Sequence, residues 1–307
     1  MKIIFVAPKT TSNFRKTTTP FYYDMGYWNF YLPLIAMGHS VYFFDTTLYG
    51  NPELRNVISS FEPDLLFCAM TGNKALCPEE PWEVIKEETK KGNITTFNWF
   101  CDDSWRFEDF SVENCKYFNH CSTPEYGFVE KYKKVGYSNI HYATWCVNAD
   151  IYSKLEAPRN FPISFVGRVS RDRIDYLEKL AAAEYEVVVS QSCPFETMVW
   201  VYSSSKLGLN FSKNSTGTGT QMKARMFEIP ATQTCLLTEY TEGLENCFEI
   251  GKEISTFSNE DELLDKVKYF KDNPDEAKIM AANGFRRFEK DHESKIRLTA
   301  LLDAITK

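Results

Sequence analysis

The sequence has no apolar run of about 18 residues, the length that a membrane-spanning helix requires. Its amino-terminal segment, MKIIFVAPKTTSN, is apolar for only a few residues before it turns polar, too short for the apolar core of a signal peptide. We therefore expect a soluble, cytoplasmic protein with no integral membrane segment.

Closely spaced cysteine pairs and an excess of basic residues are also missing. The nine cysteines form no C-x-x-C pair, and Cys68, Cys101, Cys146 and Cys235 lie in β-like apolar runs, where a reduced cysteine acts as a small core residue. The formal net charge of -7 argues against a protein that neutralises nucleic-acid phosphates over a broad surface. These absences argue against a zinc site, a redox pair and a nucleic-acid partner.

Strand-like and helix-like segments alternate along the 307 residues, which is typical of parallel sheets covered by helices. The pattern restarts near residue 160, where a polar stretch precedes the apolar run ISFVGRV. We predict an α/β fold with two tandem Rossmann-like, doubly wound parallel sheets and a cleft between them. The predicted domains are 1–157 and 158–290, with 291–307 as a helix that packs back toward the first domain. The predicted strands are 3–8, 40–45, 64–70, 94–101 and 117–123 in the first domain, and 163–169, 186–190, 206–212, 235–240 and 253–257 in the second.

Neither domain has a G-x-G-x-x-G motif after its first strand, which disfavours a dinucleotide cofactor. A different anion site is suggested by a loop of small and hydroxyl residues at 215–220, which includes Thr218 and Gly219. A predicted helix over 221–229 follows and carries Lys223, Arg225 and Glu228. Backbone N–H groups before a helix can bind a phosphate, and a carboxylate can accept the hydroxyls of a ribose. The alternative is an ordinary loop and an amphipathic helix with solvated charges.

The stretch around that helix resembles a known family. SKLGLNFS, then RMFE (225–228), CLLTEYTEGLENCFEIGKEI and DELLDKVKYF are similar to the carboxyl-terminal domain of the group 1 glycosyltransferases, which are family 4-like and have the GT-B fold. ANGFRRFEKDHESKIR (282–297) resembles the closing helices of that family, and the CgeB-like branch is the most similar. The resemblance covers roughly 203–297. It implies that residues 158–290 bind a nucleotide-sugar and that residues 1–157 face the acceptor.

The resemblance also implies roles for individual residues. The acidic residue at the position of Glu228 binds the donor ribose in that family. ISFVGRVSRDR is similar to the first strand and phosphate clamp of the second domain, with Arg168 in place and Arg173 where the family usually has lysine. Arginine retains the charge and adds a forked set of donors. The alternative is that Arg173 only caps or solvates its helix.

Two positions depart from the family pattern. A second glutamate is common eight residues before the ribose-binding one, and Thr220 occupies that position here. A glycine common shortly after the glutamate helix is absent near Gln233. In the loop 239–244, Gly243 is retained where the family backbone approaches the diphosphate, but the second glycine of that loop is missing. These departures leave nucleotide binding expected and put the donor contacts and the activity in question.

In the first domain, CDDSWRF (101–107) follows the fourth predicted strand. Asp103 is a candidate to hydrogen-bond an acceptor hydroxyl or to accept its proton. The alternative is an Asp-rich turn leading into a helix. A metal site is disfavoured, because adjacent carboxylates point apart at a strand end and the family needs no metal.

Three further features could reach the cleft. Tyr22 and Tyr23 precede the first helix and could stack on a sugar, although core packing explains most of that aromatic run. Arg15 and Lys16, in the loop after the first strand, could meet phosphates or be solvated. His120 is predicted near the end of the fifth strand, where a hydrogen-bonded core histidine is the alternative to a catalytic one.

Together these features predict a glycosyltransferase that moves a hexose or similar sugar from a nucleoside diphosphate sugar to a glycan or other hydroxyl acceptor. The resemblance implies retention of the anomeric configuration, no metal ion and no other cofactor. Arg168 and Arg173, with Lys223 or Arg225, would neutralise charge on the departing diphosphate. The alternatives are a catalytically silent protein that binds a nucleotide or glycan, and a sugar-nucleotide epimerase.

Overall fold

The structure, a computed structural model, describes residues 1–11 and 19–306. The candidates Arg15 and Lys16 lie outside the described residues. The chain forms two units, one made of Met1–Thr144 together with the segment that begins at Ser294, and the other of Trp145–Glu293. Within the described part of the chain, no helix is both long and apolar enough to cross a membrane.

Unit 1, the first of these, contains a six-stranded parallel sheet with the strand order β2-β1-β3-β4-β5-β6. Its inner strands Lys2–Ala7 and Leu65–Cys68 are short, buried apolar runs, as expected when helices cover a parallel sheet on both sides, whereas the edge strand Ser40–Asp45 is partly exposed. The strands are β1 (Lys2–Ala7), β2 (Ser40–Asp45), β3 (Leu65–Cys68), β4 (Thr95–Trp99), β5 (His120–Thr123) and β6 (Ile140–Tyr142).

Helices follow most of these strands. They are α1 (Leu32–Ala36), α2 (Asn51–Phe61), α3 (Trp82–Lys91), α4 (Asp103–Arg106), α5 (Val112–Asn114) and α6 (Phe128–Lys134), and π-helical turns cover Tyr27–Tyr31 and Phe107–Ser111. Local sequence sets their ends: the Glu53 side chain accepts a hydrogen bond from the Gly50 amide before α2, and α3 ends at Gly92 in the left-handed conformation.

Unit 2, the second, contains a five-stranded parallel sheet with the strand order β11-β10-β9-β7-β8. The strands are β7 (Phe161–Val166), β8 (Val187–Ser190), β9 (Ser205–Asn210), β10 (Cys235–Glu239) and β11 (Ser255–Phe257). The helices are α7 (Arg171–Ala182), α8 (Phe195–Ser203), α9 (Arg225–Ala231), α10 (Glu260–Asp272) and α11 (Pro274–Arg287), with a π-helical turn at Phe288–His292. The predicted fold class, two parallel α/β sheets, is confirmed.

The core of unit 2 lies on both faces of its sheet. On one face, α10 and α11 bury the apolar residues that their helical spacing predicts, including Leu263, Val267, Ala277 and Met280. On the other face, α8 and α9 pack with Phe227, Phe248 and Phe288 in a second apolar cluster. The two layers fix the carboxyl ends of the strands, where the candidate site lies.

The unit boundaries lie at 144/145 and 293/294, whereas the sequence placed them at 157/158 and 290/291. Residues 145–157 belong to unit 2 because Val147 and Tyr152 are buried in its core. The Val147 amide donates to the His292 carbonyl at 3.3 Å, so the two ends of unit 2 lie side by side. The last helix, α12 (Ser294–Ile305), belongs to unit 1, where it packs on α1 and the 27–31 turn.

Candidate functional site

The strand order of unit 2 reverses between β7 and β9. The chain passes from β7 to β8 on one side, and β9 then pairs with β7 on the other side. Connections from the carboxyl ends of these two strands therefore leave in opposite directions and open a crevice, where open α/β sheets bind ligands.

Arg225 spans this point. Its Nη1 donates to the Val166 carbonyl at the end of β7 (3.3 Å), and its Nε donates to Oδ1 of Asn210 at the end of β9 (3.2 Å). Asn210 Nδ2 in turn donates to Oγ1 of Thr238 at 2.9 Å, which fixes the orientation of the amide. The guanidinium lies 5.4 Å from the ring centroid of Phe165. A cation is thus held in place by neutral oxygens at the carboxyl edge of the sheet.

Gly167 makes room for this arginine. Its φ is +151°, and a Cβ atom there would lie 2.6 Å from Arg225 Nη1 and 3.1 Å from the Phe165 ring. Any larger residue would displace the guanidinium or the ring, so close packing requires glycine at position 167.

Arg173 supplies a second guanidinium beside the same ring, 5.6 Å from the Phe165 centroid. The side chain is buried, its Nη1 donates to the Arg168 carbonyl, and its Nε has no hydrogen-bond partner among residues 1–11 and 19–306. Burial lowers the pKa of Arg173, and the neighbouring Arg225 lowers it further. The Asp172 carboxylate, an ion-pair partner 3.9 Å from Nε, and Glu239 oppose this fall in the pKa. Two cations beside one ring, with only partial compensation, favour an anionic ligand.

Glu228 is on α9, three residues after Arg225, which puts both side chains on one face of the helix. It is only 6% exposed, and burial raises its pKa to about 7, against the opposing effects of Arg225 and of a hydrogen bond with Tyr152. Tyr202 completes the surroundings: its hydroxyl accepts a hydrogen bond from the Val166 amide at 3.3 Å. A buried carboxyl group beside Arg225 can accept ribose hydroxyls while the arginine holds a phosphate.

The 213–220 loop differs from its prediction. Lys213 pairs with Thr220 in an antiparallel bridge, and the Asn214 amide donates to the Gly219 carbonyl at 2.8 Å, so the loop closes on itself as a hairpin. Thr218 and Gly219 are exposed near its tip. The prediction of a helix starting at 221 directly behind the loop is wrong, because α9 begins at Arg225. The Gln221 amide is bonded to the Ser212 carbonyl instead, at 2.8 Å.

Glu239, which the sequence did not single out, anchors the base of that hairpin. Its carboxylate accepts hydrogen bonds from the amides of Ser212 (2.7 Å) and Lys213 (3.2 Å), and Tyr176 donates to it at 3.5 Å. The only signal in the sequence is its position at the end of a strand. Sequence reasoning also missed Asn210 and Tyr152, because their contacts come from distant parts of the chain.

The remaining candidates of unit 2 lie around this crevice. Gly243 is buried, has a φ of +85° and begins the 3-10 turn Leu244–Asn246 after β10. Thr241 Oγ1 donates to Thr220 Oγ1 at 3.0 Å, joining that loop to the hairpin. Lys223 is half-buried, and Arg168 is exposed directly after Gly167.

In unit 1, Asp103 is buried at 1% exposure. Tyr132 donates to both carboxylate oxygens, at 3.1 and 3.0 Å, and Ser111 and Thr123 also hydrogen-bond the carboxylate. Burial raises the pKa of Asp103 to about 6, although these hydrogen bonds oppose the rise. The contacts favour the alternative given above, a structural carboxylate at the start of α4, over an acceptor-facing one.

The other unit 1 candidates take part in packing. Tyr23 lies 4.6 Å from Tyr27 between ring centroids and 4.7 Å from Lys9 Nζ. The placement of His120 near the end of a strand is wrong, because His120 is the first residue of β5. Cys115–Tyr117 form a 3-10 turn, so the strand starts later than predicted. His120 Nδ1 lies 3.2 Å from His141 Nε2, so this histidine has a protein partner.

Comparison with solved structures places this fold among glycosyltransferases. The chain is similar to Anabaena Alr3699/HepE in complex with UDP, at 12% identity and a TM-score of 0.63, with 100% of both chains covered. It is similar to a glycosyltransferase from Rickettsia africae ESF-5, at 11% identity and a TM-score of 0.62, with 99% of this chain and 97% of the other covered. Sucrose-phosphate synthase (tll1590) from Thermosynechococcus elongatus gives 10% identity and a TM-score of 0.66, with 99% of each chain covered. At these identities the likeness concerns the fold.

No curated protein matches the sequence significantly. A family model described as glycosyl transferase-like, in contrast, matches residues 150–303, which is half of the chain and includes every candidate residue of unit 2. On that match, the chain belongs to the glycosyl transferase-like family.

Proposed function

We propose that this protein transfers a sugar from a nucleoside diphosphate sugar to a hydroxyl acceptor, with the donor bound at the carboxyl edge of the unit 2 sheet. The observation that carries the proposal is Arg225, whose guanidinium joins the ends of β7 and β9 beside the buried carboxyl group of Glu228. The resemblance of residues 203–297 to the CgeB-like branch supports it.

The diphosphate is proposed to lie against Arg225 and Arg173. These two guanidinium groups lie beside one aromatic ring and donate their hydrogen bonds to neutral oxygens, so much of their charge is available to a ligand. Arg168, Lys223 and the backbone at Gly243, Thr218 and Gly219 are proposed as further contacts. Fixed cations stabilise the negative charge that builds on a departing diphosphate without reorganising during the reaction.

Glu228 is proposed to accept the ribose hydroxyls of the donor. Arg225 and Glu228 are three residues apart on one helix, so a single rigid element would present both groups to adjacent parts of a nucleotide. UDP is the nucleotide to test first, because Anabaena HepE has been solved with UDP and with UDP-glucose.

The finer features of the reaction belong to the same proposal. We propose that the reaction retains the anomeric configuration, needs no metal ion and takes place in the cytoplasm, with a glycan or other hydroxyl compound as the acceptor. The resemblance supports the first two features, and the paired arginines offer the charge that a metal supplies in other transferases. Turnover unchanged by EDTA supports metal independence, whereas loss of turnover that added Mg²⁺ or Mn²⁺ restores would refute it.

A nucleotide-binding protein without transfer activity is the second candidate. Thr220 favours it, because the family often has a glutamate there and this hydroxyl is bonded to Thr241 instead. Both candidates share the nucleotide site, so binding and turnover must be measured separately.

The experiment is a screen of UDP-, GDP- and ADP-sugars for binding, by calorimetry, and for turnover, by nucleotide release. Arg225→Gln, Arg173→Gln and Glu228→Gln should each weaken binding of the recognised donor at least tenfold. Arg171→Gln and Glu178→Gln are matched controls, because both side chains are exposed on α7. Binding without turnover would select the silent protein, and no binding by any nucleotide would refute the site.

A further inference from the structure

The opposite, amino-terminal edge of the unit 2 sheet contains a cavity of about 760 Å³. Its walls are the starts of β7 and β9, the turns that precede β8 and β10, and the helices α10 and α11. Small-molecule sites in proteins are typically clefts of about 300–1,000 Å³ with mostly apolar walls and a few fixed polar groups. The cavity lies within one unit, and its edge of the sheet is the one farthest from Arg225 and Glu228.

The floor of the cavity is apolar. It is formed by aliphatic and aromatic side chains from two strands and two helices, namely Ile163, Leu207, Val267, Phe270, Ala277 and Ala281. Alanine at both α11 positions keeps the floor open. A hydrocarbon chain or ring would be removed from water here.

The rim of the cavity is mainly basic. Its lining includes five cationic side chains and two carboxylates, Glu184 and Glu186, in a chain whose net charge is -7. Lys154 and Lys278 form ion pairs with acidic residues outside the lining. Arg159, Lys206 and Lys271 take part in no ion pair within the described residues. The charge of the rim complements an anionic group.

Arg159 is the most firmly positioned of these cations. Its guanidinium donates to the carbonyls of Ser205 and Gln233 and to Oγ1 of Thr234, the last at 3.2 Å. The side chain is half-buried, and this burial lowers its pKa. A half-buried guanidinium held by neutral oxygens is preorganised to bind an acidic group.

Two residues at the rim have strained backbone conformations. Glu184 and Gln233 follow helices α7 and α9 in the left-handed conformation, with φ of +60° and +55°. Glycine is the usual residue at this position after a helix, because a side chain is strained there. Both positions retain long polar side chains, and both residues line the cavity.

We propose that this cavity binds an anionic amphiphile, a molecule with an apolar chain and one acidic headgroup. The chain lies on the floor along α10 and α11, and the headgroup meets Arg159, Lys206 and Lys271 at the rim. This site is separate from the proposed donor site and does not depend on it.

The test uses 11-(dansylamino)undecanoic acid, whose fluorescence increases in an apolar environment, and the full chain. Saturable one-to-one binding is expected, with at least tenfold weaker binding of the uncharged methyl ester. Saturating UDP should not displace the probe. Absence of saturable binding would overturn the proposal, as would displacement by UDP, and equal binding of the ester would overturn the anionic headgroup.

Variants locate the probe. Lys206→Glu combined with Lys271→Glu should weaken binding at least tenfold, whereas Lys266→Glu, exposed elsewhere on α10, should not. Ala281→Phe should fill the floor of the cavity and reduce binding. If Ala281→Phe does not fold, Ala277→Leu is tested in its place. Equal affinity in the charge-reversed and cavity-filled variants would place the probe elsewhere and refute the site.

Discussion

Asn210 Oδ1 accepts a hydrogen bond from Arg225 Nε at 3.2 Å, and this single contact connects the end of β9 to the helix that carries Glu228. The amide is oriented from behind by Thr238, so its oxygen faces the guanidinium. Asn210 is therefore a positioning residue for the proposed donor site. It accepts a hydrogen bond from Arg225 Nε and, because it is uncharged, does not neutralise the guanidinium.

Replacing Asn210 should therefore affect nucleotide binding more than stability. Asn210→Asp keeps the size of the side chain but adds a carboxylate beside Arg225, which would compete with a diphosphate. We expect donor affinity to fall at least tenfold, since a hydrogen bond to a charged group contributes about 1.5–3 kcal/mol. Calorimetry with UDP measures the change, and Asn56→Asp, exposed on α2, is the control for added charge.

Gly167→Ala should displace Arg225. The new Cβ would lie 2.6 Å from Nη1, and a non-glycine residue at a φ of +151° is strained by about 1–3 kcal/mol. We expect both lower stability and weaker donor binding. Gly251→Ala is the matched variant, because its φ is +88° and a Cβ there meets no atom of the described residues within 4 Å. It should lose stability and keep donor affinity; equal donor affinity in the two variants would contradict the role of Gly167.

Donor affinity should depend on the ionisation of Glu228. Burial raises its pKa to about 7, so the carboxyl group is mostly protonated at pH 6 and mostly ionised at pH 8. Ribose hydroxyls donate to the ionised form, and affinity should rise by about tenfold over that range. UDP-glucose is the ligand of choice because its diphosphate has no ionisation in this range. Glu228→Gln should bind weakly with little pH dependence, and an unchanged slope in that variant would assign the titration to another group.

The raised pKa of Asp103 should make the free energy of unfolding fall as the pH rises. Its pKa is raised from 3.8 to about 6, so the folded state binds more protons than the unfolded state between these values. The free energy of unfolding then falls as the pH rises through this window, by roughly 2–3 kcal/mol in total. Asp103→Asn should remove this part of the pH dependence in urea unfolding. Asp109→Asn, exposed in the following turn, should leave it unchanged.

Tyr132→Phe tests the same network from the donor side. The phenol is fully buried and donates to both oxygens of Asp103, so its removal leaves a buried carboxyl group with fewer donors. We expect a loss of about 1–3 kcal/mol of unfolding free energy above pH 7 and a smaller loss at pH 4, where the carboxyl group is neutral. An equal loss at both pH values would show that the ring packing, and not the hydrogen bonds, dominates.

Local pattern was sufficient for the fold class, although the predicted strands omit β6. The strands of both units are short, apolar and branched, and α10 and α11 repeat apolar residues at helical spacing, so their types could be read from the sequence. The site was only partly predictable. Glu228, Arg173 and Arg225 came from motif and resemblance, and they meet at one crevice.

What the sequence did not reveal depends on contacts between distant residues. Asn210, Glu239 and Tyr152 act through partners 15 to 76 positions away, and no local pattern marks such pairs. The helix start at Arg225 was missed because the preceding hairpin takes the Gln221 amide. Asp103 looked accessible because a strand end is usually exposed, whereas the hydroxyls that surround it come from other elements.

The placement of α12 has a consequence for how the protein is made. This helix follows unit 2 in the sequence, yet its Leu298, Leu301, Leu302 and Ile305 are buried in unit 1. Domains generally fold as units while the chain leaves the ribosome. Unit 1 is therefore synthesised first but completed last. The part of its core that α12 covers stays exposed until all of residues 145–293 have been synthesised.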